Sequence, residues 1–97
     1  MIVQLTRARY VLDRLDDVQR IIQDAVLPAA KQQPGCHGAY WGIDRETGAG
    51  IGISFWETRA HAEALVTSGF YQEQIAKVGP LLLGDVEREL YEVGAQV

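Results

Sequence analysis

A single cysteine, Cys36, stands in the whole chain, so no intrachain disulfide can form. With two histidines and no CxxC or spaced His/Cys cluster, there is also no cage for zinc or an iron-sulfur cluster. Positive charge is scarce: nine Lys+Arg against thirteen Asp+Glu leave a net charge of -4, and no basic run could track a phosphate backbone. Nucleic acid and anionic membrane surfaces are therefore poor partners. No apolar run approaches bilayer length, and the opening MIVQLTRARY carries Arg7 and Arg9 where a signal peptide needs a continuous apolar core, so the expectation is a cytoplasmic protein. The chain also lacks low-complexity segments and any convincing internal repeat.

What is present is enough for one core and no more. Ninety-seven residues at 47% hydrophobic content make a single domain, residues 1–97. Its most informative stretch runs from Pro34 to Thr58, where a Pro-Gly turn leads into two β-rich runs joined by Asp44, Arg45, Glu46, Thr47 and Gly48. Asp favours turn starts and Gly tolerates positive φ, so this reads as a hairpin with strands near 36–44 and 50–57. Before it, residues 2–11 have the β-branched and aromatic character of a strand. Asp13 stands where an N-cap belongs, ahead of a helix whose buried stripe is Leu15, Val18, Ile22, Ala25 and Ala29. Pro28 falls inside that stripe and should kink or shorten the helix. After the hairpin, Thr58 can cap a helix with Ala62, Leu65, Val66 and Phe70 inside, interrupted at Ser68-Gly69. A second piece with Tyr71, Ile75 and Val78 inside stops at Gly79-Pro80. Residues 81–94 read as a last strand, with Val86, Arg88, Leu90 and Glu92 on one side and Glu87, Glu89, Tyr91 and Val93 on the other.

The order β-α-β-β-α-β is the α+β, ferredoxin-like plan: a four-stranded antiparallel sheet with helices on one face. Pairing Asp44 with Ala49 puts Tyr40 opposite Ile53, with Ile51 and Phe55 beside them. The other face then holds His37, Ala39, Trp41, Ile43, Gly52, Ser54 and Trp56, which mixes bulk, small residues and polar tips as a pocket wall does. If the helices cover this second face, the Tyr40, Ile51, Ile53 and Phe55 surface is too apolar for a comfortable monomer, so a homodimer packed sheet against sheet is expected.

The run VLPAAKQQPGCHGAYWGIDRETGAGIGISFWETRAHAEAL resembles the dimeric α/β-barrel proteins of the antibiotic biosynthesis monooxygenase type. In those proteins a helix ends near a Pro and is followed by a Pro-Gly turn, a hairpin, a Trp-Glu-Ser/Thr step and an Ala-rich helix. Pro28, Pro34, Gly35, Gly38, Gly48, Trp56, Glu57 and Thr58 match in that order. The resemblance implies a dimeric α/β barrel with a small-molecule cavity between sheet and helices of each subunit. In some members it implies oxygenation without metal or flavin; others cleave haem, are isomerase-like or have no known role. The haem-degrading branch relies on an Asn, a Trp and a His in its cleft. Trp56 fits the Trp position, but this chain contains no Asn.

A cofactor-free oxygenase needs a substrate that can be deprotonated and can then pass an electron to oxygen. The protein supplies an apolar cavity, a base and donors for the developing oxyanion. By residue type His37 is the candidate catalytic base, against the competing reading of a surface imidazole. Trp41, Ser54, Trp56 and Tyr71 are the candidate substrate-binding residues: the indoles as an aromatic clamp with N–H donors, Tyr71 as a donor or lid, and core packing as the alternative for each. His61 lies off the buried stripe and reads as solvated. Cys36 and His37 point to opposite faces of a strand, which argues against a Cys-His nucleophile. Asp16 and Asp17 suit the start of a helix, Glu87 and Glu89 suit a solvated or dimer-facing edge, and Gly48, Gly50 and Gly52 are turn and close-packing glycines. The expectation is a homodimeric monooxygenase-like protein acting on a small aromatic or polyketide-like molecule, with no metal and no bound cofactor. The alternatives are a non-catalytic ligand-binding or stress-related module and a haem-binding relative.

Overall fold

Asp44 and Ala49 close the hairpin as their loop chemistry predicts. In the computed structural model, which describes residues 1–97, the Asp44 N–H donates to the Ala49 carbonyl and the Gly48 N–H to the Asp44 carbonyl, both at 2.8 Å. The elements in order are β1 (Ile2–Arg9), α1 (Leu15–Ile21), α2 (Leu27–Lys31), β2 (Cys36–Ile43), β3 (Ala49–Trp56), α3 (Arg59–Thr67), α4 (Phe70–Val78) and β4 (Glu87–Glu92). The strands form one antiparallel sheet in the order β2-β3-β1-β4. This is the expected α+β plan. Tyr40 stands opposite Ile53, and β1 enters beside β3 with Gln4 opposite Ser54, Thr6 opposite Gly52 and Ala8 opposite Gly50.

All helices lie against the face that carries Trp41, Ser54 and Trp56. They pack there in two separate clusters: Tyr10, Leu15, Val18, Ile22, Val78 and Leu81 at one end, and Ile2, Trp56, Ala62 and Leu65 at the other. The opposite face, with Val3, Leu5, Tyr40, Ile51, Ile53 and Phe55, is covered by no element of this chain. Tyr40 is 69% exposed on it.

Several local expectations are corrected. Asp13 is not an N-cap, because the chain enters α1 through a 3₁₀ turn, Leu12–Arg14, that contains it. The first-turn carboxylates serve as ion-pair partners instead. Asp17 accepts from Arg14 and Arg20, and Asp16 accepts at 2.9 Å from Arg45, which ties the hairpin loop to α1. Around Pro28 the helix is interrupted, as its position in the stripe predicts. A π-helical turn, Ile22–Val26, directly precedes α2 and takes up the irregularity that a missing proline N–H imposes. The last strand is shorter than the apolar run suggests: Leu81 leaves the sheet in a 3₁₀ turn and enters the first core cluster, Leu82 makes a lone bridge to Tyr10, and pairing begins at Glu87. Its sidedness is as expected, with Arg88 and Leu90 toward the helices. Thr58 caps α3 as expected, its hydroxyl accepting from the His61 N–H at 3.2 Å.

Leu15 is 5% exposed and Leu12 is 54% exposed, so these leucines three residues apart should respond oppositely to truncation. Leu15→Ala is expected to cost about 2–5 kcal/mol in urea unfolding, and Leu12→Ala no more than about 0.5 kcal/mol.

Candidate functional site

Between the two core clusters the sheet offers small side chains. Ala8, Ala39, Gly50 and Gly52 form a low floor, and a Cβ on Gly50 would come within 2.6 Å of the Tyr10 ring. A Cβ on Gly52 would collide with the Thr6 hydroxyl. Large residues ring this floor and no side chain fills its centre, leaving a mostly apolar cavity of about 120 Å³. An engineered apolar cavity of about 150 Å³ holds benzene, so the space suits a single small ring. It lies below the roughly 300–1,000 Å³ of typical ligand sites.

Trp41, Ser54, Trp56 and Tyr71 all border this cavity. The two tryptophans do not form a clamp. Trp41 is level with Gly52, while Trp56 lies four residues further along β3, roughly 13 Å at the usual strand rise. They belong to opposite core clusters: Trp56 is 1% exposed and packs on Ala62 and Leu65, and Trp41 stands edge-on to Tyr10 with ring centres 6.1 Å apart. The Trp56 indole N–H is used internally, donating to the Ser54 hydroxyl at 2.9 Å. The Tyr71 hydroxyl is buried without a hydrogen-bond partner, and the Trp41 indole N–H has at best a long contact with the Tyr10 hydroxyl. Such unpartnered buried donors are rare in proteins.

His37 does not join them, which corrects its expected place on the cavity face. Cys36 pairs with Trp56 and Gly38 with Phe55, so His37 is the extra residue of a β-bulge. Gly38, at φ 138°, takes the backbone strain. The imidazole turns outward and its Nε2 meets the Glu57 carboxylate on the surface. That contact holds the Glu57 carboxyl below the usual carboxylate range. No Asp, Glu, Lys, Arg or His borders the cavity. Its ionisable side chains are the tyrosines Tyr10, Tyr40 and Tyr71; burial pushes Tyr10 and Tyr71 up, with a hydrogen-bonding contact from Trp41 partly offsetting the effect on Tyr10 and Arg88 that on Tyr71. Both are therefore protonated donors near neutral pH.

Sequence reasoning passed over Gln4 and Arg88. Gln4 is 6% exposed and borders the cavity. Arg88 lies behind it, donating from Nε to Gln4 Oε1 at 2.8 Å and from its terminal nitrogen to the Ala62 carbonyl at 2.7 Å. The guanidinium carbon stands 5.5 Å from the centre of the Tyr71 ring. The available signal was parity: Gln4 alternates with buried Ile2, and Arg88 with Leu90.

No family profile and no curated protein matches the sequence, but solved structures match the whole fold. A protein from Deinococcus radiodurans, named for antibiotic biosynthesis monooxygenase activity, superposes with a TM-score of 0.81 at 14% identity, covering 100% of this chain and 96% of the other. The chain has the fold of the antibiotic biosynthesis monooxygenases. A Streptomyces coelicolor monooxygenase in complex with nanaomycin D gives 0.78 at 12% identity, covering 99% and 89%. A Mycobacterium tuberculosis haem degrader with two haems in its active site gives 0.80 at 13% identity, covering 100% and 99%.

The His37–Glu57 pair makes its own prediction. Because the folded Glu57 pKa is depressed, the pair's contribution is present at neutral pH and is lost as pH falls through that lowered value. His37→Ala should move the Glu57 carboxyl titration, followed by carbon-detected NMR, up toward the ordinary glutamate value, and should leave ligand occupancy of the cavity unchanged. An unmoved Glu57 titration would dissolve the pair in solution.

Proposed function

We propose that this chain is a homodimeric, monooxygenase-like protein that binds a small aromatic molecule in the cavity between sheet and helices and oxidises it with the substrate's own electrons. The observation that carries this reading is the apolar cavity of about 120 Å³ bordered by Tyr71, whose buried hydroxyl has no partner. The fold it shares with proteins named as monooxygenases supports it. For a quinol the balance closes without another reductant. A ring C–H becomes C–OH and the quinol becomes a quinone, releasing four electrons in all; these reduce O₂ to the inserted oxygen and one water. In this reading Trp41, Ser54 and Trp56 shape the binding site, and Tyr71 supplies the donor to the oxygen where charge develops. His37 is left as a surface partner of Glu57.

The dimer rests on the uncovered sheet face. Only 14 of 97 residues are buried, and the helices shield one side of the sheet, so pairing two copies through Tyr40, Ile51, Ile53 and Phe55 removes the largest apolar surface from water. A second reading, binding without turnover, is favoured by the lack of carboxylate or imidazole at the cavity wall. Haem is a poorer fit for a cavity of this volume.

Two experiments decide between these readings. With a monocyclic quinol, Tyr71→Phe is expected to lower oxygen uptake about 10²-fold; binding without uptake by the unaltered protein would leave the non-catalytic reading standing. In sedimentation at micromolar concentration the protein should run as a dimer and Ile53→Asp as a monomer with unchanged circular dichroism. A monomeric parent protein sinks the dimer.

A further inference from the structure

At one corner of the cavity two side-chain acceptors are each engaged by a neighbouring donor. Arg88 occupies Gln4 Oε1, leaving the Gln4 amide N–H₂ with no protein partner at the cavity wall. The Trp56 indole occupies an acceptor position on Ser54, which stands directly across the β1–β3 pair from Gln4. Tyr71, whose ring lies beside the Arg88 guanidinium, brings a hydroxyl with no partner. This corner can thus present three donors together, the Gln4 amide N–H₂ and the Ser54 and Tyr71 hydroxyls. The hydrogen bonds of Arg88 go to an amide and a backbone carbonyl, neither of which is charged. The nearest acidic influence on it is the exposed Glu63, from α3. A half-buried positive charge thus stands behind a wall of donors, with no negative group on the cavity side.

We infer that the Gln4–Ser54–Tyr71 corner, backed by Arg88, seats the anionic oxygen of a ring-bearing ligand, so that a phenol or enol is held as its conjugate base. The inference rests on the proposed reading of the cavity as a small-molecule site and specifies which form of the molecule it takes. Donors that converge on an oxygen, with a cation behind them in a poorly solvated place, favour the charged form over the neutral one. The only bond that breaks is the ligand's O–H, and the proton goes to bulk water. The corner thereby does the work of a base: an electron-rich anion is present at the cavity although no imidazole or carboxylate borders it. Arg88 is a positioning residue in this scheme. It fixes which end of the Gln4 amide faces the ligand and supplies charge from behind.

The test uses the intact protein with 4-nitrophenol, whose phenolate is coloured, and nitrobenzene as the neutral comparison, with tryptophan quenching reporting occupancy. Bound 4-nitrophenol should titrate at least about one pH unit below the free molecule, which is a preference for phenolate of about tenfold or more. Arg88→Met and Gln4→Leu should each weaken phenolate binding far more than nitrobenzene binding and so abolish most of that preference, and Arg88→Lys should restore part of it. Nitrobenzene binding also shows that each variant is folded, and the titration of the unaltered protein is decisive even if a variant is not. If nitrobenzene binds but the bound phenol titrates at or above its free value, the inference is overturned and the cavity reading survives. Variants that keep the full preference would overturn the roles of Arg88 and Gln4. If neither probe binds, the inference falls together with the cavity reading.

Discussion

The register of β2 on β3 is the constraint on which the rest of the structure depends. Two short backbone hydrogen bonds at the Asp44–Ala49 closure fix which side of the sheet each hairpin side chain takes. A slip of β2 by one residue would turn Trp41 to the open face and bring Tyr40 under the helices, while β3 is held by its pairing with β1. The observed register also decides what β1 meets. Gln4, Thr6 and Ala8 come level with Ser54, Gly52 and Gly50, so small residues collect at the centre of the helix-facing side and large ones at its ends. The helices then bridge two clusters across a low middle, and the space left there is the cavity. An interior normally packs without voids. Here the gap follows from the pairing of strands, and flexible side chains cannot close it, because the floor has almost none.

Chemistry in that space is one-sided. It has no anionic group on its wall, and the Gln4 and Ser54 oxygens each already accept from Arg88 and Trp56 respectively. Fold likeness alone could not have shown this. Solved structures that share the architecture include some at only 11–19% identity, among them a haem degrader and a monooxygenase in complex with nanaomycin D, so one scaffold carries different sites.

The hairpin, the Thr58 cap, the sidedness of β3 and β4 and the α+β order were legible in the sequence, because turn chemistry, capping and period-two alternation act over a few residues. Trp41, Ser54 and Trp56 were placed on the cavity side by the same local parity, and Tyr71 by the apolar stripe of the helix that follows Gly69. The failures also have physical causes. Asp13 sits in a 3₁₀ turn and not at a cap, since a helix start depends on how the preceding strand delivers the chain. Pro28 does mark an irregularity, but that it takes the form of a π-helical turn one step upstream is set by the packing of the helix. The LLL run at 81–83 looks like strand, yet Leu81 gains more from the core beneath Tyr10 than from a sheet edge.

By itself, the sequence determined the elements, the hairpin register and the two faces it creates, all consequences of near-neighbour stereochemistry. Only the tertiary structure decided the rest. A bulge of one residue turned His37 away from the cavity, since an extra residue in a strand leaves no mark on composition. Arg88 found Gln4 across 84 residues of chain, since strands distant in sequence become neighbours only when the sheet closes. The core divided into two clusters because small residues from three strands met at one place, and the cavity exists only through that meeting.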